Sequence, residues 1–302
     1  MEVYIHLGIH KTGSSFLQKE FFPKYEGELC FLDRSKLSQF KAYVLNADDF
    51  EFDANKAMGF FKDALGENFD RERVVVSDEE FYGNPYMASI DRKRNFDRLF
   101  AIFGNTLNCV VFLRNQQSLL NSLYNQYVKT GGTASFDKFL SYKKYPLNFS
   151  LSYLIYDKYI SYLKKVLKDD RIKVYLYEDF LENKLETLND LNYFITNNQK
   201  EFSLTVDPNR KVNSSLKNGN IPLLRLINKL TSSPKEPFLL LSLNFHKIIR
   251  RVFLRLNFSF GKPRKYVLIS SIDTKRISDS NKRLKSICPE LDLSKHGYLI
   301  RS

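Results

Sequence analysis

Within its first fifteen residues the chain places Lys11, Thr12, Gly13, Ser14 and Ser15 shortly after an apolar run at 3–7. A strand that breaks into a Gly-containing loop and restarts as a helix gathers backbone N–H groups and the positive end of the helix dipole at one point, which suits an oxyanion. Gly8 and Gly13 have the spacing of the phosphate loop G-x-x-x-x-G-K-[ST], but Ser14 occupies the lysine position and the lysine comes earlier, at Lys11. In a Mg-dependent nucleotidase the lysine after the second glycine reaches the outer phosphates, and the next Ser or Thr binds metal. A lysine inside the loop faces the bridging oxygen of a leaving group instead. That arrangement suits transfer of a group less charged than a phosphoryl, with no metal required. Gly13 allows close backbone approach, and Ser14 and Ser15 add hydroxyl donors.

Three further groups of residues could do chemistry. Asp78, Glu79 and Glu80 follow the β-branched run 73–77, where a carboxylate can take a proton. Arg114 ends the run 108–114 and can grip a phosphate with two N–H donors, while Ser122, eight positions on, can add a hydroxyl. Ser118 lies on the same helix face as Ser122 and is an alternative to it. Tyr124, Gln126 and Lys129, in the stretch YNQYVKTGG, can meet sugar hydroxyls or acidic groups. No histidine occurs between His10 and His246, so the middle of the chain offers no histidine base; His10 could serve as one in principle, but its position in the loop suggests binding or packing.

The elements that must position these residues follow from the hydrophobic pattern. Runs at 3–7, 73–77, 108–114 and 172–177 read as short buried strands. Amphipathic stretches at 14–22, 95–103, 115–129 and 185–195 read as helices between them. That alternation predicts an α/β fold: a P-loop-like, three-layer α/β/α arrangement with a central, mainly parallel sheet. Ligands of such sheets bind at the carboxyl ends of the strands, where Lys11, Glu79 and Arg114 fall. A single domain over 1–302 is expected, with 231–302 as a peripheral, basic, helical C-terminal part.

Bulk properties narrow the partners. The 302 residues carry a net charge of +13, which favours an anionic ligand without choosing one. Cys30, Cys109 and Cys288 are odd in number and far apart, so neither a disulfide framework nor a metal cluster is expected. Glu2 and His6 interrupt the first apolar run, which speaks against a signal peptide. No apolar run approaches the ~20 residues that cross a bilayer. The stretch 238–258 is apolar but cut by His246, Lys247, Arg250, Arg251 and Arg255. It reads as a helix covering the core or as a peripheral membrane contact. A cytoplasmic location is expected, peripheral to the inner membrane under that second reading.

HKTGSS and its preceding strand resemble the 5′-phosphosulfate loop of sulfotransferases that use 3′-phosphoadenosine 5′-phosphosulfate (PAPS). The resemblance extends along the chain, most specifically in its first two motifs. Arg114 and Ser122 match that family's 3′-phosphate site. The segment YEDF, from Tyr177, is similar to one that lies near the adenine. In RKVNSSLKNG, Arg210, Lys211, Asn213 and Ser215 resemble a late basic loop over the 3′-phosphate. Val212 departs from one form of that loop, where a glycine stands, and Lys211 replaces the arginine of another. SDEE resembles the S-x-E segment of bacterial and glycan-modifying members, with Ser77 and Glu79 matching. SNKRLKSICPELDLSKHGYL resembles the closing helix and Gly-Tyr tail of bacterial members.

The resemblance implies a PAPS-dependent O-sulfotransferase of the bacterial, carbohydrate type, releasing 3′-phosphoadenosine 5′-phosphate (PAP). Glu79 is the expected general base, with Asp78 and Glu80 as alternatives, and Lys11 stabilises the leaving group. The cofactor residues it implies are His10, Lys11, Thr12, Gly13, Ser14, Ser15, Arg114, Ser122, Tyr177, Arg210, Lys211, Asn213 and Ser215, with no metal ligand. The acceptor is a carbohydrate or glycan, acidic or lipid-linked in its sharper versions, and no nucleic-acid partner is expected. Two other functions compete. A P-loop kinase would need the Walker lysine and a Mg-binding aspartate, neither of which stands out. A non-catalytic anion- or membrane-binding module would use the basic surface alone.

Overall fold

Alternation along each strand explains the architecture. Val3 and Ile5 lie in one buried cluster and Tyr4 in another; Val74 and Val76 separate from Val75 in the same way, as do Cys109, Val111 and Leu113 from Val110 and Phe112. Side chains with a period of two therefore bury both faces of one sheet, as a parallel sheet between helical layers requires. In the computed structural model, which describes residues 1–24, 29–86, 91–141, 143–144, 147–197, 221–230 and 271–300, that sheet has five parallel strands: β1 (Glu2–His6), β2 (Cys30–Leu32), β3 (Arg73–Ser77), β4 (Leu107–Leu113) and β5 (Ile172–Leu176). Their order is β2-β3-β1-β4-β5.

This order creates a switch point. The chain leaves β1 toward β2 and β3, and leaves β4 toward β5 on the opposite side. The crevice beyond the carboxyl ends of β1 and β4 is where such sheets bind ligands. The β1–β3 register sets His6 opposite Ser77, so the last residues of two neighbouring strands stand side by side at that edge.

The expected strands and helices are present with shifted ends. The expected helix at 95–103 starts earlier, as Arg92–Phe103. The expected helix at 14–22 is α-helical only over Ser14–Phe16 and becomes π-helical over Leu17–Phe21. The sequence reading did not isolate β2, whose three residues give too little pattern to recognise, nor the helices Ser38–Asn46 and Ala54–Leu65. Within the expected C-terminal part, the helix Ser271–Ile287 and the residues after it place Ile277, Leu284, Cys288, Leu291, Leu293 and Tyr298 in the larger core cluster. Among the described residues no helix is long and apolar enough to cross a membrane. The stretch 238–258 lies outside the described residues.

Candidate active site

The loop after β1 has two left-handed residues, Lys11 at φ 71° and Gly13 at φ 89°. Glycine adopts such a conformation freely; a lysine there costs about 1–2 kcal/mol. The Lys11 carbonyl accepts a charge-assisted hydrogen bond from Arg114 Nη1 at 2.6 Å, which helps hold the turn. Inside the loop, buried Thr12 donates its hydroxyl to the Ile9 carbonyl at 2.5 Å. Gly13 precedes the first helical turn and its carbonyl accepts from Phe16 N at 2.8 Å.

Ser14 Oγ is sealed from solvent and has no hydrogen-bond partner among the described residues. A buried hydroxyl without a partner is costly, and such groups in a loop of this kind point to a ligand oxygen. The loop also has little spare room. A β-carbon at Gly8 would stand 2.6 Å from Ser14 Oγ and 3.1 Å from His6 Cε1. One at Gly13 would stand 3.0 Å from Phe180 Cε1 and 3.3 Å from Tyr177 Cε2.

The Lys11 ammonium donates to Gln126 Oε1 at 3.2 Å. Partial loss of water lowers its pKa; the nearby Lys129 and Arg114 cations lower it further, and Glu79 opposes them. Much of the Lys11 side chain nonetheless remains exposed, so solvent damps these influences. The Arg114 bond to the Lys11 carbonyl and the Lys11 bond to Gln126 tie the loop to the residues after β4 and to the helix that follows them.

Arg114 follows β4. Its Nε donates to Ser118 Oγ at 2.7 Å, and its guanidinium lies 4.8 Å from the Tyr177 ring centroid. The alternative serine, one turn before Ser122, therefore takes the arginine. Asn115 caps the helix Gln116–Lys129 by accepting from Ser118 N, which holds Ser118 in the first turn beside the guanidinium. Ser122 is half-buried on the next turn.

The Tyr177 segment is braced from the C-terminal tail. Glu178 accepts from Asn115 N at 3.0 Å and from Tyr298 OH at 3.2 Å. Asn115 Nδ2 donates to the carbonyls of His296 and Gly297, and His296 Nε2 lies 2.6 Å from Asp179 Oδ1. The Gly-Tyr tail, for which the sequence implied no chemistry, thus ties the turn after β4 to the helix after β5. Asp179, Glu182 and His296 are grouped closely enough to hold a metal, but Lys295 already pairs with Glu182 at 2.8 Å.

The acidic triplet separates by surroundings. Asp78 is fully buried, receives both Nε and Nη2 of Arg34 at 2.9 and 2.8 Å, pairs with Lys41 at 3.2 Å, and caps Glu80 N. Glu80 turns outward, its side chain 47% exposed, to Lys41 at 3.0 Å. Glu79, 21% exposed, faces the loop: Gln18 Nε2 donates to its Oε2 at 3.3 Å, and Arg34 Nη1 lies 3.5 Å from the same oxygen.

Two histidines flank this arrangement. His10 Nδ1 lies 3.0 Å from the hydroxyl of buried Tyr153, which also accepts from His10 N at 3.1 Å. Burial lowers the His10 pKa, and Glu79, Glu80 and Asp78 oppose the shift. His6 is buried with Nδ1 2.8 Å from Ser77 Oγ, and burial pushes its pKa down to about 3. Sequence reasoning missed His6, Gln18, Arg34 and Tyr153. The available signal for His6 was its position at the end of a strand, opposite the end of another. Tyr124 requires a correction: it is fully buried and donates to the Ala134 carbonyl at 3.0 Å, so it belongs to the core and not to an acceptor surface. Arg210, Lys211, Asn213 and Ser215 lie outside the described residues.

No protein-family model matches the chain, and no curated protein matches it in sequence. Solved structures do resemble it. A sulfotransferase from Alicyclobacillus acidocaldarius aligns over 97% of this chain and 97% of its own, at 14% identity and a TM-score of 0.52. A mouse sulfotransferase complexed with PAP covers 97% of this chain and 86% of its own, at 9% identity and a TM-score of 0.39. The sulfotransferase domain of the curacin biosynthetic pathway covers 86% of this chain and 98% of its own, at 14% identity and a TM-score of 0.40. At these identities the likeness concerns the fold, and the first of the three carries it: the five-stranded parallel sheet with helices on both faces is the three-layer architecture of a sulfotransferase.

Proposed function

We propose that this chain transfers a sulfuryl group from PAPS to a hydroxyl, releasing PAP. One observation carries the reading. The carboxyl ends of β1, β3 and β4 gather three groups: the loop lysine Lys11, whose carbonyl takes Arg114, the Arg114 guanidinium stacked on Tyr177, and the Glu79 carboxylate, bonded to Gln18 of the helix that leaves the loop. The cradle fits a phosphosulfate, because Ser14 Oγ is buried without a partner among the described residues and both loop glycines leave no space for a side chain.

Under this reading the loop N–H groups of Thr12 to Ser15 and the Ser14 hydroxyl bind the 5′-phosphosulfate. Arg114 holds the 3′-phosphate with Ser118 beside it and Ser122 one turn on, and Tyr177 lies against the nucleoside. Arg210, Lys211, Asn213 and Ser215 join them on the strength of the sequence resemblance alone. PAPS supplies a sulfuryl group already activated by its phosphate leaving group. Glu79 accepts the acceptor's proton as the acceptor O–S bond forms. Lys11 neutralises charge on the bridging oxygen as the old S–O bond breaks. His10 binds and orients near Glu79. The acceptor we infer is a carbohydrate hydroxyl. A carboxylate base and a rim carrying Gln126 and Lys129 suit an alcohol with further hydroxyl or acidic groups.

The test is sulfate transfer from radiolabelled PAPS to a panel of free sugars and glycans. Glu79→Gln should bind PAP as wild type does and lose transfer by about a hundredfold or more. Transfer near the wild-type rate in that variant contradicts the assignment, and absence of sulfation by wild type together with chelator-sensitive phosphate transfer from a nucleoside triphosphate would point to a metal-dependent kinase instead.

A further inference from the structure

Gln18 is attached to the site by geometry that no motif required. It sits in the π-helical turn Leu17–Phe21, where an α-helix would carry its side chain round to a different bearing. Its Nε2 lies 3.1 Å from the Ser77 carbonyl, 3.1 Å from Ser77 Oγ and 3.3 Å from Glu79 Oε2. The carbonyl and the carboxylate are both pure acceptors, so the amide orientation follows from chemistry: the NH₂ end must face them. Behind it, Ser77 Oγ is held by His6 Nδ1 at 2.8 Å, across the β1–β3 register that sets these two residues side by side. Buried His6 sits between Phe112 and Phe22, which fixes the ring.

The result for the carboxylate is asymmetric. Gln18 and Arg34 both address Oε2 of Glu79, and Oε1 has no hydrogen-bond partner among the described residues. We propose that Gln18, backed by the His6–Ser77 pair, is a positioning residue that anchors Glu79 by Oε2 and presents Oε1 to the acceptor hydroxyl. The inference rests on the proposed sulfuryl transfer and deepens it, because it names what holds the base. Gln18 belongs to the helix that leaves the loop, and Glu79 follows β3. Anchoring one to the other therefore fixes the base relative to the cradle, and small misplacements of a base are expensive in rate.

The experiment compares wild type with Gln18→Leu, His6→Leu and His6→Asn, using radiolabelled PAPS with the sugar that wild type sulfates best, and PAP calorimetry on each protein. Gln18→Leu should lower kcat by about tenfold to a hundredfold, with unchanged PAP affinity and unchanged KM for PAPS. His6→Leu, if it folds, should fall in the same way. His6→Asn puts an amide where Nδ1 meets Ser77 and should recover most of the lost rate. Wild-type kcat in Gln18→Leu overturns the proposal, as does a loss of PAP affinity that parallels the loss of rate, which would mean a merely structural role. PAP binding without sulfation of any sugar by wild type would overturn the carbohydrate reading, and absence of PAP binding would overturn sulfuryl transfer itself.

Discussion

Asp78 and Glu79 are adjacent carboxylates with opposite surroundings, and under the proposed reaction the difference separates stability from chemistry. Asp78 has no exposed surface and is saturated by Arg34, Lys41 and the Glu80 amide. Asp78→Asn keeps the shape but removes the charge opposite two cations. It should cost about 3 kcal/mol of unfolding free energy, near the lower end for breaking a buried pair, measured by denaturant unfolding. A stability within about 0.5 kcal/mol of wild type, the range of an ordinary surface change, would contradict the structural role given to Asp78. Lys11, Gly13 and the acidic triplet were legible in the sequence because a loop between a strand and a helix is a local pattern. Sequence alone could not choose within the triplet, because the choice depends on Arg34 and Lys41, which approach from elsewhere in the chain. His6 takes its role from the pairing of two strands, and Gln18 from a π turn that carries it to residues about sixty positions away, so neither role is written in the local pattern.

At the scale of elements, the loop and the first helical turn form a closely packed cradle. Gly13 is left-handed at φ 89° and close to Phe180 and Tyr177. Gly13→Ala adds about 1–2 kcal/mol of backbone strain and pushes against both rings. PAP affinity should fall about tenfold, the equivalent of ~1.4 kcal/mol, while the circular dichroism spectrum is retained. Unchanged affinity in calorimetry would show that the loop adapts more freely than its packing indicates. The main strands could be read in advance because their residues are β-branched or aromatic and buried on both faces. The three-residue β2 could not, since so short a run carries no period. The tail's role was also hidden: Tyr298 and His296 acquire meaning only by meeting Glu178 and Asp179, over a hundred residues away in the chain.

At the scale of the whole molecule, the buried histidine leaves a signature in stability. Burial lowers the His6 pKa to about 3, whereas a histidine in an unfolded chain titrates near ~6.5. Between these values the unfolded chain holds a proton that the folded chain lacks. Stability is therefore full above the unfolded pKa and falls as pH drops, approaching a loss of about 1.4 kcal/mol per pH unit from this group. His10 adds to the slope with the same sign. His6→Asn should lose less stability than wild type between about pH 6.5 and about pH 5 in urea unfolding; identical slopes would contradict a neutral, buried His6. The net charge of +13 by itself says only that an anion is favoured. The claim on which the rest depends is that the crevice beyond β1 and β4 receives a 3′-phosphorylated adenosine and its activated sulfate. Calorimetric titration with PAP in the presence of a chelator tests it most directly, on wild type, Lys11→Ala and Arg114→Ala. One molar equivalent should bind wild type, and Arg114→Ala should bind at least about tenfold more weakly, a loss of ~1.4 kcal/mol or more. Lys11→Ala should bind with an intermediate loss. Absence of binding to wild type, or equal binding by all three proteins, would contradict the account.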